Sequence, residues 1–194
     1  MFGQKGEKKM KKKLLIVVDY QNDFVAGSLG FPGAAAIEDN IAAKIQEYRE
    51  LGEAGQIIFT MDTHGKDYLK TQEGINLPVE HCIKGFDGWQ LYGKISTLQT
   101  EEDLVFSKPT FGSLELADYL RTREDEYESV ELVGVVTNIC VISNMVIVKA
   151  AMPEVPIFID ADCVGNYTDI RNHSYKLHAF VFIFPSSQIV SQFQ

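Results

Sequence analysis

Leu14-Leu15-Ile16-Val17-Val18-Asp19 is an unbroken apolar run closed by a carboxylate. A strand with one wet face alternates apolar and polar residues. A run that is apolar at every position needs cover on both faces, as in a parallel sheet between helices. The form recurs along the chain. Gln56 to Thr60 leads to Asp62, Leu104 to Ser107 ends at Lys108, and Ser129 to Val136 precedes Cys140. Val155 to Ile159 ends in Asp160 and Asp162, and Gln188 to Val190 is a candidate last strand. Helical patterns lie between these runs. Within Ala34 to Leu51, Ile37, Ile41, Ile45 and Tyr48 fall three or four residues apart, and Gly52 and Gly55 close the segment. Ser113 to Arg123, Thr137 to Ala151 and Asp169 to Ala179 read as further helices. The alternation predicts an α/β fold: a three-layer Rossmann-like sandwich, with a mostly parallel central sheet and helices on both faces.

The chain has 194 residues, which predicts one domain over residues 14–194. Residues 1–13, with the basic run Lys8 to Lys13, read as a poorly ordered tail. The alternative for that run is a basic anchor or nuclear signal. A net charge of -9 argues against nucleic acid as a partner. Leu14 to Val18 is too short to span a bilayer and lacks the features of a secretory signal. Three cysteines without CxxC pairing fit free thiols in a cytoplasmic protein. The expected partners are a small molecule and further copies of the same chain, with neither nucleic acid nor membrane.

In open parallel sheets, ligands bind beyond the carboxyl ends of the strands. Asp19, Asp62, Lys108 and Cys140 all lie at or just past such ends. Cys140 falls at a predicted helix start, where N–H groups favour an anion and lower a thiol pKa. The same groups could stabilise an oxyanion. The competing reading is a buried structural cysteine. Asp19 could take the thiol proton and pass it to a leaving amine, or could merely cap a turn. Lys108 could hold the charge of its neighbours, or sit on the surface as most lysines do.

Thr63 to Gly93 has no period, and a loop this long is usually functional. Asp62 and His64 form a DxH pair before it, and Glu73 and His81 lie within it. Together they make a credible nitrogen and oxygen site for zinc, with manganese or iron as alternatives. Cys82 is an alternative ligand to His81. Phe24, Phe31, Phe86 and Trp89 could wall a pocket for a flat substrate, or simply pack.

Taken together, these residues resemble the isochorismatase-like cysteine hydrolases, and within them the nicotinamidase/pyrazinamidase branch. The resemblance runs from about Leu14 to Val190. Val18-Asp19-Tyr20-Gln21-Asn22-Asp23-Phe24 looks like the opening motif, which implies that Asp19 is the base and that Phe24 lines the pocket. Phe106-Ser107-Lys108-Pro109-Thr110-Phe111-Gly112 is similar to the segment with the catalytic lysine. Gly134-Val135-Val136-Thr137-Asn138-Ile139-Cys140-Val141 is similar to the nucleophile motif, with Asn138 where many members carry Asp. The resemblance also implies a non-proline cis peptide ahead of the nucleophile, at Val136–Thr137, that turns N–H groups toward the oxyanion. Thr60-Met61-Asp62-Thr63-His64 and Leu77-Pro78-Val79-Glu80-His81-Cys82 resemble the metal segments, with Glu73 suitably placed between them.

The implied activity is hydrolysis of a small amide, nicotinamide to nicotinate and ammonia, through a thioester on Cys140. The alternatives are a related hydrolase of another small substrate, a non-catalytic binding protein of the same fold, and a structural or sensing zinc protein. Rapid pH-dependent alkylation of Cys140 favours an enzyme, and inertness favours binding.

Overall fold

The computed structural model of the chain describes residues 10–167 and the backbone of Val181–Phe184. Six strands form one sheet: β1 (Lys12–Val18), β2 (Gly55–Asp62), β3 (Leu104–Lys108), β4 (Tyr127–Val135), β5 (Ile157–Gly165) and β6 (Val181–Phe184). Their order is β3-β2-β1-β4-β5-β6, and every neighbouring pair is parallel. The first strand explains its own composition. Leu14 to Val18 are all fully buried. Leu15 and Val17 pack with Ile41, Ile45 and Tyr48 on one face; Leu14, Ile16 and Val18 pack with Leu116, Leu120, Met145 and Val148 on the other. Those residues come from α3 (Glu38–Glu50), α6 (Leu114–Leu120) and α7 (Ile142–Ala151).

The remaining helices are short: α1 (Asn22–Val25), α2 (Pro32–Ala36), α4 (Gln72–Asn76) and α5 (Gly93–Leu98). The sheet is open, and the strand order reverses its direction of growth between β1 and β4. In open sheets of this kind, ligand crevices form at such a reversal, outside the carboxyl ends of the strands.

Several boundaries differ from the sequence reading. β1 begins at Lys12, so Lys12 and Lys13 belong to the sheet and not to the tail. Strand pairing uses the backbone, and lysines at a strand end can keep their charges in water. The single helix expected over Ala34 to Leu51 is two, joined at Ile37. Pro32 opens the first, and the apolar spacing continues across the joint. β5 runs past Asp160 to Gly165. There β4 advances from Leu132 to Gly134 while β5 advances from Ile159 to Val164, a bulge that takes in the polar residues. Thr137 to Ala151 divides into a π-helical turn (Thr137–Val141) and α7. β6 was not read from the sequence. The expected helix at Asp169 to Ala179 and strand at Gln188 to Val190 lie outside the described residues. No described helix is long and apolar enough to cross a membrane.

Candidate active site and metal cluster

Four strand ends bring the predicted residues together. Asp19 follows β1 and Lys108 ends β3; both are buried. Lys108 Nζ lies 2.6 Å from Asp19 Oδ2 and 3.6 Å from Cys140 Sγ. It also donates to the Thr110 carbonyl at 3.0 Å and lies 3.5 Å from Asp62 Oδ1. The other Asp19 oxygen accepts from the Thr60 hydroxyl at 2.7 Å. Oδ2 has no uncharged donor, and the Lys108 ammonium is its contact. Asp19 is left-handed, with φ 48°, because the chain leaves the sheet there.

The electrostatics follow from burial and from one cation among anions. Burial pushes the Asp19 carboxyl up, with Lys108 pulling the other way. Burial would lower Lys108, but Asp19, Cys140 and Asp62 outweigh it and hold the ammonium charged. Burial and then the Asp19 charge push the Cys140 thiol well up. This corrects the expectation of a lowered thiol pKa: the resting proton belongs on sulfur. Desolvation and the Asp19 charge outweigh the pull of Lys108.

Cys140 sits within the π-helical turn, where the Val136 carbonyl accepts from the N–H groups of Ile139 and Val141. The cis peptide is Val135–Val136, one bond earlier than Val136–Thr137. Thr137 is already the first residue of the helical turn, so the irregular bond falls where β4 ends. The Thr137 hydroxyl donates to the Gly165 carbonyl at 2.8 Å, tying the turn to β5. Gly134 has φ 116°, and a Cβ there would lie 2.1 Å from the Val18 carbonyl oxygen, so only glycine lets β4 approach β1.

The second group adjoins the first through Asp62. Its Oδ2 lies 3.0 Å from His64 Nε2 and 3.3 Å from His81 Nε2. Donor atoms of Asp62, His64 and His81 all fall within 4.8 Å of one another, and all three residues are buried. A short parallel bridge joins His64 to Ile83: His64 N–H donates to the Cys82 carbonyl and Lys84 N–H to the His64 carbonyl. That strap carries His81 to the site. His81 Nδ1 faces the Val79 carbonyl at 2.8 Å, which leaves Nε2 as the ligating nitrogen. Hydrogen bonds from both histidines and the Lys108 charge overcome burial and hold Asp62 well below the usual carboxylate range. Burial opposes charge on His81, but Asp62 raises it. An aspartate and two imidazoles fit a divalent first-row metal.

Glu73, on α4, stands at the edge of this cluster, with Oε1 3.8 Å from His64 Nε2 and 3.6 Å from His81 Nε2. Cys82 is not in the cluster. It is left-handed, with φ 46°, and packs in the core on the α3 face.

The aromatics divide. The Phe24 ring is 5.6 Å from that of His81, and Trp89 Nε1 donates to the Thr63 hydroxyl at 2.9 Å, between the two ligand positions. Phe31 instead packs against Tyr167, with ring centroids 4.8 Å apart. Phe86 is exposed and lines a surface hollow of about 550 Å³ with Asp23, Lys66 and Glu80; none of Asp19, Lys108 and Cys140 lines it.

Sequence reasoning missed four contributors. Thr60 holds Asp19. Tyr68 lies against both histidine rings, with centroids 4.7 and 4.9 Å away. Gln21 bonds the Asp62 backbone. Asn144 donates to the Cys140 and Phe111 carbonyls and accepts from Ser113 N–H. For Asn144 a signal existed: it is a lone amide on the buried side of a helix otherwise rich in Val, Ile and Met.

The sequence model of the isochorismatase domain matches residues 13–186. The chain belongs to the isochorismatase family. The family protein PncA of Bacillus subtilis strain 168 is 33% identical over 147 residues, covering 70% of this chain and 77% of that protein. The nicotinamidase/pyrazinamidase of Mycobacterium tuberculosis strain H37Rv is 29% identical over 146 residues, covering 66% and 74%. The crystal structure of nicotinamidase PncA from Bacillus subtilis superposes with a TM-score of 0.72 at 27% identity, covering 88% of this chain and 98% of that one.

Proposed function

We propose that this isochorismatase-family chain is a nicotinamidase-type enzyme that hydrolyses a small amide through a thioester on Cys140. It is a hydrolase of C–N bonds, as its named relatives in the family are. The observation that carries the reading is the Lys108 ammonium, 2.6 Å from the Asp19 carboxylate and 3.6 Å from the Cys140 sulfur.

The resting thiol keeps its proton until an amide reaches it. Asp19 then takes that proton as the sulfur bonds to the amide carbon, and Lys108 balances the charge passing between them. N–H groups at Val136, Thr137 and Cys140 would serve the oxyanion, those of Ile139 and Val141 being taken by the Val136 carbonyl. The C–N bond breaks as Asp19 returns the proton to nitrogen, and ammonia leaves. Water gives a proton to Asp19 as its oxygen attacks the thioester carbon. The C–S bond breaks, and the proton goes back to sulfur. A carboxyl raised by burial suits this cycle, because its pKa moves toward the working pH.

Asp62, His64 and His81, with Glu73 at the edge, would hold a divalent metal, zinc being the best match to these donors. When bound, that ion supplies a Lewis-acidic anchor for the ring nitrogen of a pyridine-like substrate. Phe24 and Trp89 would wall the ring. Three free thiols support a cytoplasmic setting. Exposed Phe111, Leu114 and Val146, around α6 and α7, offer an apolar surface for self-association.

The test is ammonia release across a panel of small amides that includes nicotinamide and pyrazinamide, run with wild type and Cys140→Ala. Release from pyridine-type amides, abolished by the substitution, is expected. Activity on none of them, or full activity in Cys140→Ala, contradicts the proposal.

A further inference from the structure

Gln21 lies two residues past Asp19, fully buried, and its amide is spent on one region. Oε1 accepts from the Asp62 N–H at 2.8 Å. Nε2 donates to the Asp62 carbonyl at 2.9 Å and to the Trp89 carbonyl at 2.8 Å. This orientation is forced. Exchanging oxygen and nitrogen would set NH₂ against an N–H and oxygen against two carbonyls.

The main chain explains why an amide is needed. β1 ends at Val18, and the Asp19 N–H still donates to Thr60. Beyond it the chain turns away: the Tyr20 carbonyl accepts from Tyr92 and the Gln21 N–H donates to Asp19. β2 runs two residues further, to Asp62. The Gln21 side chain, with its donor and acceptor, stands where the next peptide of β1 would have been. Its second N–H is left over for Trp89, whose indole returns to Thr63 beside Asp62.

We infer that Gln21 is a positioning residue that fixes the Asp62 ligand and the Trp89 wall as one unit, so that metal in the Asp62, His64 and His81 cluster is felt at Trp89. The inference rests on the metal site proposed above. A side chain that only filled space would give no such link.

Trp89 is the only tryptophan, so fluorescence excited beyond the absorption of the eight tyrosines reports on it alone. Zinc titrated into metal-free wild type should change its emission. In Gln21→Glu and Gln21→Met, zinc affinity should fall by about 10- to 100-fold, as for other groups that orient a ligand. At saturating zinc the emission change should be diminished, and acrylamide should quench Trp89 more readily even without metal. Alkylation of Cys140 should stay close to wild type in Gln21→Met, which adds no charge. Folded variants with unchanged zinc affinity and unchanged quenching overturn the inference. Wild type that binds no zinc overturns the metal reading, and the metal-free quenching still judges the link between Gln21 and Trp89. If neither variant folds, nuclear magnetic resonance on wild type decides. The Gln21 side-chain NH₂ should exchange slowly and shift on zinc addition, and a freely exchanging, zinc-insensitive amide overturns the inference.

Discussion

Two lysines are buried among the described residues, each beside a pair of buried carboxylates and near a cysteine, and only one of the two groups lies where strands end. Lys108 faces Asp19 at 2.6 Å and Asp62 at 3.5 Å. Lys44, on α3, faces Glu131 at 3.2 Å and Asp160 at 3.4 Å, with Glu47 at 3.3 Å. The ingredients match, but their places in the sheet do not. Glu131 lies within β4, between Leu15 and Phe158, and its other oxygen accepts from the Tyr48 hydroxyl at 2.9 Å. That group joins a helix to the flank of the sheet. The Lys108 group lies where strands stop, so its carboxylates meet a thiol and two imidazoles brought by separate loops. A buried ion pair alone is therefore a poor sign of function, and its position relative to the strand ends carries the information.

The comparison breaks most readily at Asp19. Asp19→Asn should slow amide hydrolysis by roughly two to four orders of magnitude, since the proton relay is lost. Steady-state ammonia release on the responsive amide measures it, and a loss smaller than tenfold would remove Asp19 as the base.

Lys44 should behave oppositely. Lys44→Met leaves Glu131 and Asp160 without their cation, and breaking a buried pair costs about 3–5 kcal/mol of stability. Urea unfolding should show that loss, while turnover per folded molecule is unchanged. Reduced turnover with intact stability would join the two groups functionally and undo the contrast.

The thiol gives a smaller effect with a definite sign. Burial and Asp19 raise the Cys140 pKa and Lys108 lowers it. Iodoacetamide labelling of wild type should therefore keep rising with pH beyond the ordinary thiol range of about 8.5. Asp19→Asn removes an anion, so the thiol pKa falls and labelling at pH 8 becomes faster even as turnover drops. Peptide mass mapping separates Cys140 from Cys82 and Cys163. Slower labelling in Asp19→Asn would show that the electrostatics are wrongly signed.

The smallest change belongs to Glu73. At 3.6 and 3.8 Å from the imidazoles, it should matter less than Asp62 or the histidines. Glu73→Gln should weaken zinc by at most about tenfold, whereas His64→Ala should abolish binding. Isothermal titration decides, and equal losses would make Glu73 a full ligand.

What was legible in the sequence follows the same division. Strand-end residues could be read because a parallel sheet sends every carboxyl end to one rim, so Asp19, Asp62, Lys108 and Cys140 converge whatever the loops do. The Lys44 group left Glu131 as a charge inside one apolar strand and Asp160 at the expected end of another, and nothing in the pattern joins them to Lys44 on α3. The loop from Thr63 to Gly93 showed no period because side-chain-to-backbone bonds hold it: Gln21 to Asp62 and Trp89, and Asp23 to the Cys82 N–H at 2.7 Å. The break at Ile37 was hidden because apolar spacing persists through it. The cis bond was displaced by one residue because its place depends on where β4 ends, which pattern locates only to within a residue or two.

The most direct test of the central claim is the covalent state of Cys140 during turnover. Wild type mixed with nicotinamide, or whichever amide releases ammonia, is quenched in acid within milliseconds and examined by peptide mass spectrometry. The account predicts a pyridinecarbonyl, or corresponding acyl, group on the peptide bearing Cys140. It should appear with the first equivalent of ammonia and be absent in Cys140→Ala. Ammonia released at full rate with no acyl group on Cys140 at any quench time, and with Cys140→Ala equally active, would contradict it.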